Sequence, residues 1–100
     1  MDNPEKTAYQ EMMEAKLIQL KADIQKLEGE LKEKKVDARL GMQKNLEQLR
    51  QRHEMVEAKM HALKTASGAA WRETKDGVAS AWHDLATAFQ KASEAFEQTR

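Results

Sequence analysis

The chain has 100 residues, 40% hydrophobic and 34% charged, but 15 of its apolar residues are alanine, so only 25 larger apolar side chains are available for a core. It has no cysteine, which excludes disulfides and thiolate metal sites, and its single proline, four glycines and abundance of Ala, Glu, Lys, Leu, Gln and Met are the composition of long helices and coiled coils. Basic and acidic residues balance at 17 each, and again at 10 against 10 in the first half and 7 against 7 in the second, leaving no basic patch for nucleic acid.

Met1 to Thr7 mixes both charge signs and leads into no apolar run, so neither a leader peptide nor a membrane span is expected there, and the expected location is cytoplasmic. Pro4 suits the first turn of a helix, with Asn3 or Asp2 as N-cap and Glu5 near the positive end of the helix dipole. From there Met13, Leu17, Leu20, Ile24, Leu27 and Leu31 step by 4, 3, 4, 3 and 4, a heptad seam flanked by charged residues. Glu28 to Lys32 and Glu30 to Lys34 are favourable i,i+4 pairs, worth roughly 0.2–0.5 kcal/mol each.

The same seam continues at steps of three and four through Lys35, Ala38, Met42, Leu46, Leu49, His53, Val56, Met60 and Leu63. Glu33 to Met42 contains Gly41 but no proline and no Asn-Gly or Ser-Gly pair, so the pattern predicts one uninterrupted helix over about residues 4–64, with a turn near Gly41 as the alternative. Lys64-Thr-Ala-Ser-Gly68 is the clearest turn-compatible cluster, placing a turn at about residues 65–67 and a second helix over about 68–98. Residues 66–100 hold nine of the 15 alanines and repeat at 11 residues, Trp71 to Trp82, Val78 to Phe89 and Leu85 to Phe96. Eleven residues over three turns predicts a nearly straight or weakly right-handed helix.

Together these features predict an all-α fold, a single coiled-coil domain over residues 1–100 in which a long helix folds back on a shorter C-terminal one. The hairpin would pack Met42, Leu46, Leu49, His53, Val56 and Met60 against Trp71, Val78, Trp82, Leu85, Phe89 and Phe96. A long helix of roughly 90 Å would then overhang a partner of roughly 45 Å. The uncovered seam from Met13 to Leu31 would be buried by self-association. Its spacing reads the same in both directions about Ala22, so the expected assembly is a homo-oligomer, an antiparallel dimer first.

The run Leu46-Glu-Gln-Leu-Arg50, then Ala58-Lys-Met-His-Ala-Leu-Lys64, Ala66-Ser-Gly-Ala-Ala-Trp71, Asp76-Gly-Val-Ala-Ser-Ala-Trp82 and Phe89 resembles the small bacterial coiled-coil stress-response proteins. The Ser-Gly-x-Ala-Trp and Gly-Val-x-x-Ala-Trp elements carry the resemblance, which extends over roughly residues 14–96. It implies a cytosolic, long-helical protein without an enzymatic assignment.

His53, Glu57 and His61 lie at i, i+4 and i+8 on one helix side, yet a zinc protease helix needs His-Glu-x-x-His, and di-iron bundles need paired Glu-x-x-His; neither is present. No metal or other cofactor is expected. Ser67, Ser80 and Ser93 have no neighbouring base arranged for nucleophilic attack, and the carboxylates sit among lysines and arginines, so no enzymatic activity is expected. The expected function is that of a structural or interaction coiled coil. The alternative is reversible lipid-surface binding through the aromatic face of the last helix, although its polar face, Arg72, Glu73, Lys75, Asp76, Asp84, Lys91, Glu94, Glu97 and Arg100, lacks a lysine excess.

Overall fold

A computed structural model describes residues 3–98. Those residues form three helices, α1 (Pro4–Leu31), α2 (Val36–Thr65) and α3 (Ala70–Gln98). They lie side by side in a rod of 54 × 17 × 16 Å. The α1 start follows the local signals: Asn3 is extended, and its side-chain oxygen accepts from the amides of Glu5 at 3.0 Å and Lys6 at 3.4 Å, with Pro4 in the first turn.

The continuous helix expected over 4–64 is not formed; the chain reverses over residues 32–35, and Gly41 lies inside α2. No helix breaker explains this reversal, since Lys32, Glu33, Lys34 and Lys35 are all strong helix formers. Burial explains it. A straight helix would hold Met13, Leu17, Leu20, Ile24 and Leu27 in water, whereas after reversal they are 2–7% exposed. Five such side chains contribute roughly 1.5–3 kcal/mol each. Interrupting the helix forfeits a few backbone hydrogen bonds of about 0.5–1.5 kcal/mol net, some of which the caps replace.

The overhanging seam is therefore covered by the chain's own α2 and α3. Of the six residues assigned to self-association, Met13, Leu17, Leu20, Ile24 and Leu27 are core, and Leu31 packs partly buried against it. The overhang that called for a second copy does not exist, and Ala22, the expected two-fold axis, is exposed.

The second turn falls where the small residues place it, one to two residues later than expected. Gly68 has φ 44°, the left-handed conformation that glycine adopts without a Cβ penalty, and the Ala70 amide donates to the Ser67 carbonyl at 2.9 Å. α2 is the central partner, packing against both α3 and α1, while α1 and α3 touch more sparingly. Met42, Leu46, Leu49, Val56, Met60, Leu63, Val78, Leu85 and Phe96 are all nearly inaccessible.

In α3 the buried line Trp71, Val78, Leu85 and Ala92 advances by seven, with Ala81 beside it, so the core face follows heptads rather than the 11-residue repeat. Trp82 and Phe89 consequently stand at the flank, partly buried. Small alanines on the core line allow close backbone approach, and the larger rings close its edges.

Candidate functional site

Two features of the bundle combine chemistry with position: a groove between α1 and α2, and a set of cationic side chains at the helix ends. The groove, about 380 Å³, is lined by apolar Leu17, Ile18 and Met60 and by Glu14, Lys21, His53, Glu57, His61 and Lys64. His53 occupies a seam position of α2 and is the one buried polar residue among those described. Its Nε2 lies 3.0 Å from the Leu17 carbonyl of α1, and its Nδ1 lies 2.7 Å from Oε1 of Glu57, one turn on in α2.

Both atoms facing the ring are acceptors. A neutral imidazole donates to one of them, and an imidazolium donates to both. His53 thus ties the α2 seam to the α1 backbone, with both ring nitrogens engaged. His61 and Ile18 are exposed at the groove rim. Glu14 of α1 and Lys64 of α2 form an ion pair across its mouth. Farther along, Arg50 Nε donates to Glu28 at 3.0 Å, and that carboxylate pushes the guanidinium above its ordinary value. These exposed pairs contribute roughly 0.2–1 kcal/mol each and set register more than stability.

At the helix ends, each C-terminus accepts from a cation supplied by another segment. Arg39 of α2 donates to the carbonyls of Lys34 at 2.9 Å and Lys32 at 3.1 Å, just past the end of α1. Lys6 of α1 donates to the Lys64 and Ala66 carbonyls at the end of α2. Lys34, in the first turn, donates to the Phe96 carbonyl of α3 at 3.2 Å. Each bond places positive charge at the negative end of a helix dipole. They also report topology, because the start of α1 meets the end of α2, and the start of α2 meets the end of α3.

On the other side of the bundle, Lys75 lies over both Tyr9 at 5.2 Å and Trp71 at 5.6 Å, and Lys16 lies over Trp82 at 5.8 Å. Burial pushes the Tyr9 hydroxyl above its ordinary value, with Asp76 adding to the effect.

The residues assigned to hairpin packing from the sequence thus lie in or beside one core, His53 included. What sequence reasoning missed is that His53 reaches α1, and that Lys6, Lys34 and Arg39 close helix ends. Nothing local marks Lys6 and Lys34, because their acceptors lie 58 to 62 residues away and are set by how the helices are arranged, while those of Arg39 exist only because the chain turns at residues 32–35. Among the described residues, no group of three His, Asp or Glu side chains is placed to hold a metal ion, and no helix is long and apolar enough to cross a membrane. Compared with known protein families, with curated proteins and with solved structures, the chain matches none.

Proposed function

We propose that this chain is a non-enzymatic helical interaction module of the cytoplasm that acts by helix–helix association, with a second copy of itself as the first partner. The observation that carries this reading is where the buried chemistry goes. The seam side chains of all three helices, and His53, the one buried polar residue among those described, are committed to contacts between helices. The stress-response role implied by the Ser67-Gly-Ala-Ala-Trp71 and Gly77-Val-Ala-Ser-Ala-Trp82 elements belongs to the same reading.

Light scattering on size-exclusion fractions tests it. A mass above the 11.4 kDa of one chain, rising with concentration, is expected. A single-chain mass at every concentration would remove self-association from the reading.

Lipid-surface binding through α3 is separated by tryptophan emission. Trp71 is 5% exposed within the bundle. Emission already blue-shifted in buffer and unchanged by anionic vesicles is expected, and a shift that appears only with vesicles would favour the lipid alternative.

A further inference from the structure

We propose that α1 is exchangeable between two copies of this chain: the first turn straightens, residues 4–65 become one helix, and each α1 packs on the α2 and α3 of the other copy. This deepens the self-association reading and rests on it. It names the surface, the α1 seam, and the partner, the same groove on a second copy.

The first observation is the build of the turn. The amides of Lys32, Glu33 and Lys34 still bond to the carbonyls of Gly29, Glu30 and Leu31, three residues back, at 3.3, 3.1 and 3.1 Å. Lys32 has φ −63° and ψ −24°, so the backbone is still right-handed helical as it leaves α1. Lys35 has φ −64° and ψ 151°, so its φ is already helical and only its ψ departs from the helical value of about −42°. The second turn differs, because Gly68 at φ 44° lies off any right-handed helical path. One connection is a fixed corner, and the other is a helix interrupted at one end.

A second observation is that the seam already runs through the turn, from Leu31 by Lys35 and Ala38 to Met42, at helical spacings. Straightening it needs no change of face.

The third is the register of α1 on α2. Cross-helix partners fix the register of α1 on α2: the midpoint of Leu17 and His53 is position 35, and that of Glu28 and Arg50 is position 39. If α1 keeps that register on the second copy, the two long helices run antiparallel about a two-fold axis at the level of residues 35–39. The α1 contacts, including the His53 bond, re-form between copies, so the two forms differ mainly in the turn, its cationic caps and the cost of association.

The chain has no cysteine, so the full-length protein can be tested with Glu28→Cys and Arg50→Cys together, the size-exclusion dimer being treated with a short bismaleimide and run on a denaturing gel. Links between chains are expected from the dimer, and links within one chain from the monomer. Val36→Pro supplies a control that keeps the fold. Position 36 is the first residue of α2, where proline is favoured, and Lys35 before it already has the extended ψ that a following proline requires. In the straightened helix the same proline is interior. Val36→Pro should therefore lower the association constant by roughly two orders of magnitude or more, with melting of the monomer undiminished. Arg39→Ala, which frees the Lys32 and Lys34 carbonyls, should raise the dimer fraction. A dimer whose links all lie within single chains, or one unaffected by Val36→Pro, would overturn the exchange while leaving self-association standing. Absence of any dimer, for Arg39→Ala as well as the unaltered chain, would overturn both.

Discussion

His53 Nε2 stands 3.0 Å from the Leu17 carbonyl oxygen, a hydrogen bond from the seam of one helix to the backbone of the next across 36 residues of sequence. The imidazole fills core volume and bridges two elements at once. Replacement by phenylalanine retains most of the volume and removes both polar contacts, so His53→Phe should cost about 1–2 kcal/mol. His53→Ala, which also opens a cavity, should cost about 2–4 kcal/mol. Urea unfolding followed by circular dichroism measures both, and a His53→Phe variant as stable as the unaltered chain would mean that the bridge itself contributes nothing.

Leu49 and Trp82 separate the core line from its flank. Leu49 is 0% exposed, and Leu49→Ala should cost about 2–5 kcal/mol. Trp82 stands at the edge beneath Lys16, and Trp82→Ala should cost less despite removing the larger side chain, about 1–2 kcal/mol. Thermal melts that rank the two in the opposite order would place Trp82 on the core line.

The glycines make opposite predictions. A Cβ built on Gly41 meets nothing within 4 Å, and the residue lies inside α2, so Gly41→Ala should stabilise by about 0.5–1 kcal/mol. Gly68 has equal space but φ 44°, and Gly68→Ala should destabilise by about 1–2 kcal/mol through backbone conformation alone. Chemical denaturation of the two variants checks the signs.

Tyr9 is the only tyrosine, so tyrosinate absorbance reports it directly. Its hydroxyl titrates above the ordinary value of 10.0, chiefly through burial and secondarily through Asp76. The unfolded chain then releases its proton at lower pH than the folded one, so this contribution to stability is whole below pH 10.0 and is lost as pH rises through the folded value. Tyr9→Phe should flatten the alkaline limb of the stability profile, and an unchanged limb would place the hydroxyl in solvent.

The helical class, the start of α1 at Asn3 and Pro4, the corner at Gly68 and the identity of the seam residues are all legible in the sequence, because caps, left-handed glycines and heptad spacing act over a few residues. The reversal at residues 32–35 is not. Its four residues favour helix, and the seam passes through them unbroken, so local propensity and periodicity both argue for continuity. What overrides them is the burial of Met13, Leu17, Leu20, Ile24 and Leu27 against faces of α2 and α3, a gain that exists only once those helices are side by side. The His53 bridge and the cationic caps share that dependence. A side chain's polar partner 36 or 62 residues away follows from how helices stack, which their own periodicity leaves open.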